Sequence, residues 1–189
     1  MHPADLGAHL AWPLPSVWIG VSVEDQSTAD ERIPLLLETP AAKRFLSAEP
    51  LLGPINYRWA KWHDYKTQER ERRAAGAAVL SDHLDGLRRL DTIIVGGESG
   101  PGARPCDVVW IRSTVEQCKA AGVACFVKQL GARSYSLAGD SLCANGDPPV
   151  GSLLSLTSRA GSDPSEWPED LRVQEWPLAI VPRPPEDAV

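Results

Sequence analysis

Four short runs rich in β-branched and apolar residues, at 17–24, 43–49, 92–98 and 124–130, punctuate the chain. Runs this short and this apolar read as strands buried on both faces, which belong to parallel sheets in α/β proteins. Helical patterns separate at least three of them. A first helix is predicted from Thr28, with Glu31 three residues on in capping-box position, towards Thr39 and a stop before Pro40. Pro34 lies inside it, removes a backbone donor and should kink it.

The connection between the second and third strands is much longer. It carries Tyr57, Trp59, Trp62, His63 and Tyr65, then a charged stretch over 66–73, then Ala77, Leu80, Leu84 and Leu87 on one helical face. It reads as an insertion over about 54–90, its charged stretch a solvated helix face supported by pairs such as Glu69 and Arg73. A third helix is the clearest: Val108, Ile111, Val115 and Cys118 line one side, Arg112, Glu116 and Lys119 the other, and Gly122 supplies the stop. The repeated strand–helix order, with right-handed crossovers, makes the sheet parallel. Residues 1–134 are therefore read as a strand–helix body and 135–189 as a loop-rich tail. Residues 132–163 are expected to be irregular, Trp167, Val173 and Trp176 to pack back on the body, and 182–189 to fray.

Composition narrows the function. The 189 residues are 43% hydrophobic and 23% charged, an ordinary globular balance. A net charge of −6 argues against general affinity for nucleic-acid phosphates. No membrane-length apolar run and no signal peptide are visible, so a cytoplasmic address is expected. Cys106, Cys118, Cys125 and Cys143 form no C-x2-C pair and are read as reduced thiols, with no metal site made from them.

Alternation along the strands groups the polar residues. Gly20, Ser22 and Glu24 share one face of the first strand, Phe45, Ser47 and Glu49 one face of the second, and Ile94, Gly96 and Glu98 one face of the third. Phe126 and Lys128 share a face of the fourth, with Gln129 opposite. Three carboxylates would gather at one mouth, at the strand ends where ligands bind in α/β folds. Gly96 and Gly97 would let backbone approach a ligand there, and Ser99 adds a hydroxyl. Lys128, Arg104, a metal ion or a cationic ligand could compensate the acidic cluster. Each Glu could instead cap a loop. The aromatic cluster around His63 is read as a cover over core rather than a base-stacking platform.

The stretches LPSVWIGVSVEDQ (14–26), RFLSAEPLLG (44–53), VGGESGPGARP (95–105), FVKQLG (126–131) and PEDLRV (168–173) resemble those of a phage-associated family of unknown function. That family looks like radical S-adenosylmethionine (radical SAM) enzymes. The resemblance implies a partial (β/α) barrel of parallel strands, truncated TIM-like or radical-SAM-like, in which a cluster and S-adenosylmethionine meet at the strands' carboxyl ends. Family members carry a C-x3-C-x2-C motif that holds a four-iron four-sulfur cluster. No such motif occurs in this sequence, so no iron–sulfur cluster is expected, and the chain reads as the carboxyl-terminal part of the barrel. Ser22, Glu24, Ser47, Glu49, Gly96, Gly97, Glu98, Ser99 and Lys128 would form what survives of a cofactor pocket for S-adenosylmethionine.

A barrel lacking its opening units leaves an unpaired edge and an exposed face. A cluster-bearing fragment, a second copy or another protein would cover them. The leading expectation is a truncated or split radical-SAM-like barrel, inactive alone, its substrate unidentified and nucleic acid suggested by phage context alone. The alternatives are a non-catalytic binding protein reusing the half barrel, and a carboxylate-metal hydrolase using Glu24, Glu49 and Glu98.

Overall fold

A computed structural model describes residues 12–57, 86–136 and 152–177. Four strands, β1 (Trp18–Ser22), β2 (Lys43–Ala48), β3 (Thr92–Gly96) and β5 (Ala124–Gln129), form one sheet in the order β1-β2-β3-β5, every pair parallel. A two-residue strand β4 (Cys106–Asp107) pairs in parallel with β6 (Ser134–Tyr135). The α/β class and the parallel sheet expected from the apolar runs are therefore present. The predicted insertion falls largely on 58–85, outside the described residues, as do Trp59, Trp62, His63, Tyr65 and Cys143.

Helix α1 (Gln26–Glu38) starts two residues earlier than the periodicity predicts. Asp25 is its cap: the carboxylate accepts from the Thr28 amide, while Thr28 Oγ1 accepts from the Asp25 amide, so Thr28 takes the part assigned to Glu31. Such reciprocal bonds satisfy amides that have no helical partner. The helix runs through Pro34 to a cap at Thr39. Helix α2 (Val108–Ala121) is capped by Asp107 and ends on Gly122 at φ 71°, a left-handed conformation open to a residue without a Cβ. Its buried line is Val108, Ile111, Thr114 and Cys118, with Val115 only half-buried.

Both helices pack on the same face of the sheet. Ile33, Leu36 and Leu37 of α1 and Ile111 and Cys118 of α2 share one core with Leu46, Ala48, Ile93, Val95, Cys125 and Val127. The alternate residues, among them Trp18, Gly20, Phe45, Ser47, Ile94, Phe126 and Lys128, lie on the other face, where no helix covers them among the described residues. There the Phe45 ring occupies the space above Gly20, 2.5 Å from where a Cβ would stand.

The tail packs back on the body through Trp167, Val173 and Trp176, as expected. Residues 152–163 are loop, as expected, apart from the Leu153 bridge to buried Tyr135 of β6, and hydrogen bonds tie that loop down: the Gly161 carbonyl takes the Leu130 amide at 2.9 Å and the indole N–H of buried Trp167 at 2.9 Å. The β5 edge is covered, while β1 forms the opposite edge of the sheet. The Val127 amide donates to Val173 O and the Glu175 amide to Cys125 O, both at 2.8 Å, so 173–175 runs antiparallel along β5. Backbone groups that an edge strand would leave unpaired are thereby satisfied. Trp176 then turns over the uncovered face, 4.9 Å from the Phe126 ring and 6.5 Å from Trp18.

Candidate functional site

The carboxyl ends of β1, β2 and β3 are tied together by the chain that leaves β2. The Leu52 amide donates to Glu24 O at 2.8 Å, and the Leu51 amide to Gly96 O at 2.9 Å. Ser22 pairs with Ser47 and Ser47 with Ile94 in the sheet register. Glu24, Glu49 and Gly96 therefore share one edge, as alternation predicts. A register shift between Val95 and Gly96 ends the alternation in β3 and pairs Gly96 with Gln129. Glu98 consequently belongs to the loop beyond the strand, and the Ile94, Gly96, Glu98 face is corrected to Ile94 and Gly96.

Each carboxylate meets its own cation, which answers how three like charges are tolerated. Arg32 of α1 reaches both oxygens of Glu24, at 3.3 and 3.2 Å, and donates to Ser22 O at 2.7 Å from the same nitrogen. Glu98 is gripped by Arg104: Nε and the backbone amide donate to Oε2 at 2.7 and 2.9 Å, and Nη2 to Oε1 at 3.0 Å. These charge-assisted bonds hold the Glu98 carboxyl down, from 4.5 to about 2. Arg104 is pushed up in turn, first by Glu98 and to a smaller extent by Glu24, which brings the Glu24 and Glu98 loops into one electrostatic neighbourhood.

Glu49 is treated differently. Its Oε2 accepts from Lys128 Nζ at 3.3 Å and Ser47 Oγ at 3.4 Å, both long. Its Oε1 is buried and has no hydrogen-bond partner among the described residues. Glu49, just past the end of β2, reaches Lys128 on β5 across the width of β3, β2 and β5 standing roughly 10 Å apart. Gly96 makes this possible: a Cβ there would fall 2.8 Å from Glu49 Oε1. Gly97 serves the scaffold instead, since a Cβ at that position would stand 2.2 Å from Leu130 O.

The expected residues thus divide. Ser22, Glu24, Ser47, Glu49, Gly96 and Lys128 stand on or at the end of the uncovered face, with Ser22 and Lys128 exposed. Glu98 and Ser99 belong to the adjoining turn, where Glu98 is spent on Arg104 and Ser99 is exposed. Gln129 donates to Gly97 O at 2.8 Å, bracing the turn. Arg32 was not anticipated; a basic side chain one helical turn beyond Thr28, placed to reach back to the strand end, was its signal. No three His, Cys, Asp or Glu side chains among the described residues form a metal-binding group, so the hydrolase reading gains no support from the geometry. Cys106, Cys118 and Cys125 are free and buried, and burial raises the Cys106 thiol to about 12. No described helix is long and apolar enough to cross a membrane.

A parallel α/β sheet with both described helices on one face, and paired charges gathered at the carboxyl edge of the other, defines the class of this protein. The chain belongs to the family described as "Protein of unknown function (DUF5131)", whose model matches residues 2–157. No curated protein and no solved structure matches the chain.

Proposed function

We propose that the chain is the carboxyl-terminal part of a radical-SAM-like (β/α) barrel from a phage-associated family, its uncovered sheet face being the barrel interior. The carrying observation is the sequential strand order with α1 and α2 on a single face. Doubly wound sheets place helices on both faces, whereas a barrel keeps them all outside. The uncovered face grades from Trp18, Phe45 and Phe126 at one end to Ser22, Glu24, Ser47, Glu49 and Lys128 at the carboxyl edge. That gradient suits a barrel with an apolar floor and a polar binding mouth.

S-adenosylmethionine fits this mouth: it presents one cation, one carboxylate and one ammonium to a set of residues of both signs. Glu24, Glu49 and Lys128 would hold its charged groups and Ser22 and Ser47 its hydroxyls, while Gly96, Gly97 and the Glu98–Ser99 turn would form the wall. When bound in such barrels the cofactor supplies a carbon radical. An iron–sulfur cluster does not fit these residues. The described cysteines are buried, Cys118 and Cys125 in the core on the helix side, and no C-x3-C-x2-C spacing occurs in the sequence. Radical chemistry therefore requires a cluster-bearing part outside these 189 residues, and the chain alone is expected to bind rather than catalyse. Calorimetry with S-adenosylmethionine and with 5′-methylthioadenosine, which lacks the amino-acid end, tests the pocket. Binding of the nucleoside-containing ligands is expected, and failure of both to bind would remove the cofactor reading.

A second reading is a non-catalytic interaction protein that reuses the half barrel. Trp18 at the β1 edge and Trp176 beside it, 38% and 55% exposed, favour it. An intact chain that binds neither ligand yet elutes as a stable dimer or complex would select this reading.

A further inference from the structure

On the helix side of the sheet, away from the mouth, lie two nucleophilic side chains that the proposed function does not use. Helix α2 ends on Gly122, and the Val123 amide donates back to Cys118 O at 3.0 Å, so the chain reverses beneath the last turn of the helix. Strand β5 then begins at Ala124, with buried Cys125 and Val127 as its helix-side positions. The reversal lays Cys125 along the part of α2 that carries Cys118. The two thiols hydrogen-bond to each other, and that bond, reinforced by burial, pushes the Cys118 thiol up and keeps its proton in place. Both cysteines are free and buried. Cys106, on β4, meets the Asp107 backbone and no second thiol.

The surroundings of the pair are not held with equal strength. Buried Tyr57 lies close to both thiols and bonds Thr114 Oγ1 at 3.4 Å, so the core side is packed. The edge side is closed by the strap 173–176. Its Glu175 amide donates to Cys125 O at 2.8 Å, and its carboxylate accepts the Cys125 amide at 3.4 Å and adds to the push on the Cys118 thiol. The Glu175 side chain therefore stands beside the gap between α2 and β5. Gln174, Glu175 and Trp176 are exposed, and the strap is held by few main-chain bonds. Segments of that kind open well before the whole fold does.

We infer that Cys118 and Cys125 are a redox-modifiable pair, which a small disulfide such as oxidised glutathione converts to an internal disulfide when the 173–176 strap lifts from β5. Cys125, the sulfur beneath the strap, attacks one sulfur of the oxidant and releases the first glutathione. Cys118 then attacks Cys125 Sγ in the mixed disulfide and releases the second. The two protein thiols are oxidised, one disulfide is reduced, and the two protons pass to the departing glutathione thiolates. The product staples the end of α2 to the start of β5. Burial keeps the resting pair reduced and slow to react, so the strap sets the rate. This site is on the opposite face from the proposed cofactor mouth and does not depend on that reading.

Incubation of the full chain with oxidised glutathione, followed by alkylation, mass spectrometry and peptide mapping, tests the inference. The expected product has lost two hydrogens, carries no glutathione, joins the Cys118 and Cys125 peptides and reverts in dithiothreitol. Trp176→Ala removes an exposed ring that rests on Phe126 and is expected to speed the linkage roughly three- to tenfold, the worth of one aromatic contact. Cys125→Ala is expected to abolish the loss of two hydrogens. Linkage through Cys106 or Cys143, a glutathione adduct that persists on Cys118 or Cys125, or no linkage in either the parent or Trp176→Ala overturns the inference. Equal rates in the parent and Trp176→Ala overturn the strap as the way in.

Discussion

Gly97 is the position at which one added carbon should do most damage, and the structure allows the cost to be worked out. A Cβ on Gly97 would stand 2.2 Å from Leu130 O and 2.9 Å from Leu130 C. That is more than an ångström inside ordinary contact, against backbone that cannot rotate away. The loops after β3 and β5 would have to part. They are joined by the Gly97 amide to Gln129 O at 3.1 Å and the Ala132 amide to Glu98 O at 2.8 Å, and Gly131 at φ 100° packs directly on Gly97. Loss of two hydrogen bonds at about 1 kcal/mol each, plus overpacking of about 1–3 kcal/mol, puts Gly97→Ala near 3–5 kcal/mol destabilising. Gly53→Ala is the control: nothing lies within 4 Å of its Cβ and its φ is not positive, so it should be neutral or slightly stabilising. Urea unfolding followed by far-ultraviolet circular dichroism reads the difference as a midpoint lowered by about 2 M at unchanged slope. A Gly97→Ala midpoint matching that of Gly53→Ala would refute the close approach of the two loops.

Two further outcomes follow from named contacts. Trp167→Ala removes a buried ring and its bond to Gly161 O, at a cost of about 3–5 kcal/mol, and should loosen the segment that covers β5. Hydrogen exchange at the amides of Val127 and Glu175 should then accelerate together, and unchanged protection there would show that the tail is held some other way. The Glu98 carboxyl is depressed from 4.5 to about 2, so its pairing with Arg104 contributes fully above about pH 4.5 and is lost as the pH falls towards 2. Glu98→Gln should therefore lose less stability than the parent across that window, by a small amount because Arg104 is exposed. A carboxyl-resolved titration of Glu98 with a midpoint near 4.5 would contradict the bidentate pair.

The strands, the parallel sheet and the shared edge of Glu24 and Glu49 could be read from the chain because a strand places alternate residues on opposite faces, whatever surrounds it. Helix α2 was legible for the same reason, its period of 3.6 being a property of the backbone itself. The start of α1 was misplaced because Thr28 can act as a cap or, as here, as the third residue of the first turn, and both roles use the same hydroxyl. Where the alternation stops in β3 was not legible, since the register shift depends on how Gly96 meets Gln129 of a neighbouring strand. Lys128 and Arg104 were legible as compensating cations, but which carboxylate each one meets, and the part of Arg32, belonged to the tertiary structure: Glu24 lies eight residues from Arg32, Glu98 six from Arg104 and Glu49 seventy-nine from Lys128. That the tail returns to the body was legible from Trp167, Val173 and Trp176, but its pairing of 173–175 with β5 was not, because main-chain hydrogen bonds along a strand edge impose little on side-chain identity. Local periodicity reports backbone geometry, whereas the satisfaction of each charge depends on which groups packing brings within hydrogen-bonding reach. For that reason the amino-acid sequence placed Glu24 and Glu49 at one edge, and the folded chain decided which cation each carboxylate meets and left Glu49 Oε1 buried without a donor.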